Sequence, residues 1–121
     1  MSRPEFNHTI DYIEFPAVDI AGTKRFYSTV FGWEFTDYGS DYTSFEDGRL
    51  SGGFTTESTV GRGVLIVLYS HDLEATFSSV KANGATIAKE IFSFPGGRRF
   101  HFVDVNGNEL AVWGEDPNST D

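Results

Sequence analysis

The chain has no cysteine among its 121 residues, and this absence removes several kinds of chemistry at once. Without a thiol there can be no disulfide, no thiolate nucleophile and no cysteine-ligated metal centre. Basic residues are also scarce, because 9 Lys and Arg stand against 18 Asp and Glu, for a formal net charge of −9. A phosphate backbone attracts a basic surface, so this balance argues against nucleic acid as a partner. An acidic surface suits a cationic small molecule, although plain solubility also accounts for it.

Long apolar runs and a targeting signal are missing as well. The opening residues, Met-Ser-Arg-Pro-Glu-Phe, lack the pattern of a signal peptide, and no apolar stretch approaches the length of a membrane span. We therefore expect a cytoplasmic location and no membrane partner. What is present is a globular composition, 39% apolar and 16% aromatic with 12 Phe, in a length typical of one domain.

The stretch over residues 104–113 is typical of a turn that leads into a strand. Asp104 suits the first position of a type I turn, and Gly107 suits the left-handed position after it. The residues that follow alternate between two faces, with Glu109, Ala111 and Trp113 on one and Leu110 and Val112 on the other. Residues 98–103 have the pattern of a partner strand. The sequence therefore predicts a β-hairpin with one polar-aromatic face and one aliphatic face.

The order of predicted elements repeats once along the chain. A strand, a helix that begins after Asp19 and ends at Gly32, and three short strands are followed by a second such series, whose helix lies between Asp72 and Gly84. Asp19 and Asp72 are the predicted N-caps of the two helices. The predicted apolar stripes comprise Phe26, Tyr27, Val30 and Phe31 on the first helix and Leu73, Phe77 and Val80 on the second. We therefore predict one α+β domain of two βαβββ modules, about residues 8–57 and 63–115, with a linker over 58–62. Two such modules side by side would form a curved, half-barrel mixed sheet with the helices outside and a ligand on the concave side.

Three segments carry a resemblance to a known family. They are Asp19-Ile-Ala-Gly-Thr-Lys-Arg-Phe-Tyr, Val30-Phe-Gly-Trp and Asp104-Val-Asn-Gly-Asn-Glu-Leu-Ala-Val. In this order and spacing they resemble the vicinal oxygen chelate superfamily, the glyoxalase, bleomycin-resistance and extradiol dioxygenase proteins, over nearly the full chain. The resemblance implies the half-barrel fold and a homodimer with cavities shared between chains. It leaves the activity open, because the family hosts lyases, isomerases, ring-cleaving dioxygenases and drug-binding proteins.

Metal-dependent members of this family resemble one another in four cavity ligands, His or Glu, one on each of four strands. The corresponding positions here are Tyr12, a residue near Leu65, the segment Ser51-Gly-Gly and Ala111. None of these residues is His, Asp, Glu or Cys, and phenols and carbonyls alone make a poor site for a divalent transition metal. We therefore expect no metal site and no cofactor.

Several residues on the predicted cavity face are candidates for a site. Glu14 shares a strand face with Tyr12, where a carboxylate can act as a base or pair with a cationic ligand. The alternative for Glu14 is an ion pair with an Arg at a sheet edge. Glu109 and Trp113 share the face of Ala111, and their alternatives are a solvated hairpin mouth and the filling of the sheet's end. We assign Tyr12, Glu109, Ala111 and Trp113 to ligand binding.

The role of His101 depends on the register of the hairpin. If residues 105–107 form a three-residue loop with a glycine bulge, His101 faces Ala111 and the cavity. If the turn has two residues, the parity flips and His101 faces the helices. The turn signals at Asp104 and Gly107 favour the bulged form. In that register Glu14 and His101 would be the acid and the imidazole that meet in the cavity.

These residues leave two functions open. The first is a metal-independent, homodimeric protein that binds a small molecule in the concave sheet cavity. The second is a lyase, isomerase or dioxygenase of the same superfamily, acting through Glu14 and His101 or through an unexpected metal site. The missing ligand positions favour the first function. A pair of polar groups converging in one cavity would favour the second.

Overall fold

The computed structural model describes residues 3–58 and 63–117. Of the predicted linker, residues 59–62 lie outside the described residues. The chain forms two compact units: Tyr12–Leu65, and the residues up to Asp11 together with those from Ile66 onward. We call these units the first and the second module. The segment that precedes Tyr12 therefore belongs with the C-terminal half, a grouping that the sequence pattern does not indicate.

The secondary structure follows the predicted order. After a short 3-10 helix, Pro4–Phe6, come β1 (Ile10–Pro16), α1 (Ile20–Phe31), β2 (Glu34–Asp37), β3 (Tyr42–Glu46) and β4 (Ser51–Thr55). The second series comprises β5 (Leu65–Tyr69), α2 (Leu73–Ala82), β6 (Thr86–Phe94), β7 (Gly97–Val103) and β8 (Glu109–Gly114). The α+β class and both βαβββ series are confirmed.

Each module repeats one sheet topology. Counted from the first strand of each module, the strand order is β1-β4-β3-β2 in the first module and β5-β8-β7-β6 in the second. In both, the first strand pairs in parallel with the last, β1 with β4 and β5 with β8. The remaining neighbours pair in antiparallel fashion. A parallel pair needs a crossover connection, and the helix of each module supplies part of it.

The first helix has its predicted bounds, but it presents its apolar residues differently. Gly32 ends α1 with a φ of 75°, in the left-handed region that glycine adopts without a steric penalty. Of the predicted apolar stripe, Tyr27 packs in the core, whereas Phe26, Val30 and Phe31 are 54%, 56% and 60% exposed. The expectation of one covered stripe is therefore wrong for these three residues, because only the side of α1 that carries Tyr27 meets the core.

The two helices also differ at their N-termini. Asp72 caps α2 as predicted, since its carboxylate accepts the backbone N–H of Ala75 at 3.2 Å. Asp19 occupies the same position before α1, but its side chain makes no capping hydrogen bond. The sequence signal for the two caps is the same, and only one of them forms.

Aromatic side chains form the core of the first module. Its buried members are Ala17, Phe45 and Phe54, and around them pack Phe15, Ile20, Tyr27, Trp33 and Phe35. The ring of Trp33 stacks 4.7 Å from that of Tyr27 and 4.5 Å from that of Phe45. Such pairs contribute roughly 0.5–1.5 kcal/mol each beyond the area they bury. Phe15 follows Glu14 on β1 and packs against this core, on the opposite face of the strand.

The core of the second module is largely aliphatic. Leu73, Phe100 and Val112 are buried, and Leu68, Phe77, Val80, Ile87, Ile91 and Phe102 pack against them. The apolar stripe predicted for α2, which comprises Leu73, Phe77 and Val80, is thus confirmed. Val112, on the aliphatic face of β8, belongs to the same core. Across the described part of the chain, neither helix is long and apolar enough to cross a membrane.

Candidate functional site

The hairpin between β7 and β8 sets the position of His101. Asp104 N–H donates to the Asn108 carbonyl at 2.9 Å, which closes a three-residue loop, and Gly107 within it has a φ of 91°. This is the bulged form, and His101 accordingly lies directly opposite Ala111. Residues paired across an antiparallel ladder share a sheet face, so His101 lies on the polar-aromatic face of the second module.

Two contacts fix the imidazole of His101. Its Nδ1 lies 2.9 Å from Oε2 of Glu109, and its ring stacks on that of Phe92 with 5.9 Å between centroids. His101 is only 3% exposed, whereas the Glu109 side chain keeps 26% of its surface in solvent. The carboxylate and the Phe92 ring therefore hold the imidazole in one orientation, with its second nitrogen turned inward.

The electrostatics favour a neutral imidazole. Burial lowers the pKa of His101 and outweighs the hydrogen bond to Glu109, while the cations of Arg99 and Lys89 add to the lowering. A neutral ring that donates Nδ1–H to Glu109 carries its lone pair on Nε2. That Nε2 is buried and has no hydrogen-bond partner. The second module thus contains an oriented and unprotonated acceptor, which is what a donor group of a ligand, or a proton, would need.

Ala111 and Trp113 continue the same face along β8. Ala111 is fully buried and lies opposite Val67 of β5, so it offers only a small apolar surface. The indole Nε1–H of Trp113 donates to Oδ2 of Asp11 at 2.9 Å. Trp113 also contacts the ring of Phe94 edge-on, with centroids 6.3 Å apart. The predicted ligand-binding residues of β8 therefore share one face with His101.

Tyr12 and Glu14 lie in the first module and meet through a residue that sequence reasoning missed. The hydroxyl of Tyr42 donates to Oε2 of Glu14 at 3.0 Å, and it lies 2.5 Å from the hydroxyl of Tyr12. Burial, followed by the charge of Glu14, raises the pKa of Tyr42. Two phenols and one carboxylate thus form a hydrogen-bonded chain. Glu14 acts in it as a hydrogen-bond acceptor.

Glycine makes room for this chain. A Cβ on Gly53 would overlap the Tyr42 hydroxyl and would lie 2.8 Å from that of Tyr12. Gly53 lies opposite Glu14 on β1 and opposite Ser44 on β3, so the two phenols extend over the bare backbone of β4. The glycines that weaken β4 as a strand therefore leave the space in which the tyrosine side chains pack.

Two hydrogen bonds of this site cannot be read from the sequence pattern, and the physical reason is the same for both. Tyr42 is 28 residues from Glu14, and Asp11 is 102 residues from Trp113. Periodicity reports which face a side chain occupies, and it does not report partners at such separations. The alternation of residues 42–45 is typical of a strand, but nothing in it identifies the partner of the Tyr42 hydroxyl.

Comparison with known proteins assigns the family. The model of the Glyoxalase/Bleomycin resistance protein/Dioxygenase superfamily matches residues 9–112. The chain therefore belongs to this superfamily, as its sequence segments indicated. A search of curated proteins gave no match.

Solved structures share the fold at low sequence identity. A hypothetical protein, BH1468 from Bacillus halodurans C-125, has a TM-score of 0.74 at 15% identity and covers 94% of this chain and 99% of its own. Methylmalonyl-CoA epimerase from Mycobacterium tuberculosis has a TM-score of 0.69 at 11% identity, covering 89% and 88%. The Mn(II)-bound glyoxalase from Novosphingobium aromaticivorans has a TM-score of 0.67 at 21% identity, covering 99% of this chain and 44% of its own. These likenesses establish the fold alone.

The family's metal finds no matching donor set here. In the first module Tyr12 lies opposite Ser51. In the second module the residue opposite Ala111 is Val67, two positions beyond Leu65. A phenol, a hydroxyl and two aliphatic side chains do not supply the imidazoles and carboxylates that a transition metal prefers. Within residues 3–58 and 63–117, no three His, Asp or Glu come together in an arrangement that could hold a metal ion. The residues at the ligand positions therefore do not fit this metal.

Proposed function

We propose that the chain binds a small organic molecule on the polar-aromatic face of the second module, with His101 Nε2 accepting a hydrogen bond from it. The observation that carries this proposal is the buried Nε2 without a partner. A buried acceptor left without a hydrogen bond costs free energy, roughly 1–3 kcal/mol, which a ligand O–H or N–H would recover. The half-buried rings of Phe92 and Trp113 border the same face and suit a planar ligand.

A pair of simple probes tests this proposal. 4-Fluorophenol has a hydroxyl donor on an aromatic ring, and fluorobenzene has the same ring without the donor. We expect the wild-type chain to bind the phenol about 10-fold more tightly than fluorobenzene in a 19F NMR titration, since one hydrogen bond is worth about 1.4 kcal/mol. His101→Leu should remove this difference while leaving the affinity for fluorobenzene similar. The proposal is rejected if His101→Leu prefers 4-fluorophenol to fluorobenzene as strongly as wild type does. It is also rejected if the wild-type chain shows no saturable binding.

The arrangement also supports an enzyme as the second candidate. A neutral imidazole oriented by a carboxylate is the usual construction of a general base, and His101 with Glu109 meets that description. We propose proton abstraction next to a carbonyl as the reaction class to test. In this step Nε2 takes the α-proton and an enolate forms. The protonated imidazole then gives that proton to solvent, and the enolate takes up a proton that comes from solvent.

Deuterium exchange decides this second candidate. In D2O, wild-type protein should speed exchange of the α-protons of phenylacetone, followed by 1H NMR, and His101→Asn should lose the effect. Glu14→Gln is the matched variant in the first module, because the sequence predicts Glu14 as a candidate base. Loss of exchange in Glu14→Gln alone would move the base to the first module. Exchange no faster than in buffer would leave only ligand binding.

A homodimer and the absence of a resident metal remain proposals. The exposed Phe26, Val30 and Phe31 on α1 support the dimer, since clustered apolar side chains on a surface favour association. Sedimentation at micromolar concentration should give twice the mass of 13.4 kDa. A monomer throughout would reject this proposal. Elemental analysis after purification without chelators should find no stoichiometric zinc, nickel, iron or manganese.

A further inference from the structure

The guanidinium of Arg3 lies inside a cluster of three rings in the second module. Its central carbon is 4.5 Å from the ring centroid of Tyr69, 5.5 Å from that of Phe6 and 5.7 Å from that of Trp113. Its Nη2 also lies 2.9 Å from Oδ2 of Asp11. We call the three rings and the Asp11 carboxylate the aromatic cage. Ring faces together with one carboxylate are the usual surroundings of a bound organic cation.

The walls of the aromatic cage are held by bonds that do not involve the Arg3 side chain. The Trp113 indole is fixed by its 2.9 Å hydrogen bond to Asp11. The Tyr69 hydroxyl donates to Oε1 of Glu115 at 2.5 Å, and Tyr69 is fully buried. Two of the rings and the carboxylate would therefore keep their positions without the guanidinium. A preorganised site of this kind binds a ligand without the loss of free energy that ordering its walls would bring.

The Arg3 side chain is more exposed than the Asp11 carboxylate and the Tyr69 ring of the cage. The Arg3 side chain is 36% exposed, against 21% for the side chain of Asp11. The 3-10 helix that follows Arg3, Pro4–Phe6, contains no buried residue. Its ring in the cage, that of Phe6, is itself 45% exposed. The cation in the cage therefore belongs to a segment with little buried surface to hold it there.

We propose that the aromatic cage is a binding site for a small organic cation, a guanidinium or alkylammonium group, which displaces the side chain of Arg3. The net charge of −9 would draw such a cation toward the protein. In this proposal Arg3 acts as a tethered competitor, whose local concentration is on the order of millimolar. The site does not depend on the role of His101, so either proposal can fail alone.

The competing explanation is that Arg3 serves only to fasten the segment before β1 to the second module. Both explanations predict that the loss of Arg3 lowers stability, because its cation–π contacts with three rings and its ion pair with Asp11 are lost. Only the proposed site predicts that the emptied cage accepts a free cation. The deciding measurement is therefore binding, with stability as a check on folding.

The probe is ethylguanidinium, which reproduces the end of an arginine side chain. Binding is followed by the 1H–15N resonance of the Trp113 indole, assigned with Trp113→Phe. We expect Arg3→Ala to bind ethylguanidinium at least ~10-fold more tightly than wild type, because the tethered competitor is gone. Arg49→Ala, which removes the same charge from an exposed position, should bind like wild type. Asp11→Asn combined with Arg3→Ala should abolish the saturable shift.

Arg3→Gln is a second test variant. Its side chain is longer than that of Arg3→Ala, so it leaves the segment before β1 less room to rearrange. In both variants the backbone N–H of Arg3 can still donate to the Tyr69 hydroxyl, as it does at 2.8 Å in the native chain. A well-dispersed amide spectrum confirms folding. The proposal is overturned if neither folded Arg3 variant shows a saturable indole shift, or if Arg49→Ala gains affinity equally.

Discussion

Two cross-strand pairs occupy matching places in the two modules. In the first module Ser44 lies opposite Gly53, and in the second module His101 lies opposite Ala111. The two modules have the same strand order, and each has a residue with little or no side chain at this place on its last strand. The first module uses the space for its own phenols, which bond to one another and to Glu14. The second leaves an imidazole nitrogen without a partner. The repeated fold therefore provides equivalent positions, and the chemistry depends on which polar groups are already satisfied.

The largest effect on stability should come from adding a side chain to a glycine of β4 in the first module. In Gly52→Ala the new methyl would overlap the Ile13 carbonyl oxygen and the ring of Phe45, both of which are fixed by the sheet and the core. We expect a loss of about 3 kcal/mol in the free energy of unfolding, measured in urea. Gly32→Asn is the control, because a Cβ added at this position would have no atom within 4 Å and Asn tolerates the left-handed backbone. Equal losses in the two variants would contradict this account.

A smaller effect should follow from breaking the phenol chain. Tyr42→Phe removes the donor to Glu14 and the hydroxyl beside Tyr12. We expect a loss of about 1–2 kcal/mol, since partly buried polar groups lose a partner each. Tyr38→Phe, at a side chain 64% exposed, removes a hydroxyl from solvent and should cost almost nothing. If the two variants were equally stable, the first module would not be satisfying its own polar groups as described.

The pH dependence of stability distinguishes the second module. His101 has a pKa below its ordinary 6.5 in the folded protein, because burial and the charges of Arg99 and Lys89 outweigh Glu109. Above the unfolded-state pKa both states are neutral and the residue adds no pH dependence. As the pH falls below it, the unfolded chain binds a proton that the folded chain does not, so stability decreases until the lower folded pKa is passed. The slope from one such proton is at most about 1.4 kcal/mol per pH unit.

His101→Asn should flatten this decrease below about pH 6.5 when urea midpoints are measured across the acidic range. His8→Asn and His71→Asn are the matched controls, since both histidines are exposed in the structure. A profile for His101→Asn that parallels wild type would mean that the imidazole is not neutral in the folded state.

The smallest predicted effect compares the two helix caps. Asp72→Ala should cost about 1 kcal/mol, because it removes the acceptor for the Ala75 N–H. Asp19→Ala should cost only a few tenths, because its side chain makes no capping hydrogen bond. Thermal unfolding of the two variants against wild type measures the difference. Reversal of this order would mean that the cap of α1 forms in solution.

Much of the fold could be predicted from the sequence, because its signals are local. Hydrophobic period, caps and glycine stops gave the bounds of α1, and the turn residues Asp104 and Gly107 gave the register of His101. What escaped prediction depends on contacts between distant segments. The same apolar spacing left Phe31 exposed on α1 and put Phe77 of α2 into the core. Parity also gave no sign that Asp11 would bind Trp113.

The cavity expected to join Glu14 with His101 remains a prediction. The two residues belong to different modules, and each has a partner in its own, Tyr42 for Glu14 and Glu109 for His101. Glu109, which the sequence assigned only to ligand contact, is the group that orients the imidazole. Its two-residue spacing from Ala111 placed it on the correct face. The sequence could not show which neighbouring strand would supply its partner.

Each module contains one of the two tryptophans, and this distribution makes the cooperativity of folding observable. Trp33 is stacked within the aromatic core of the first module, and Trp113 is hydrogen-bonded to Asp11 in the second. Fluorescence of Trp33→Phe would report only the second module, and fluorescence of Trp113→Phe only the first. Coincident denaturation midpoints would define a single two-state unit, whereas separate midpoints would show that each half of the repeat unfolds as its own foldon.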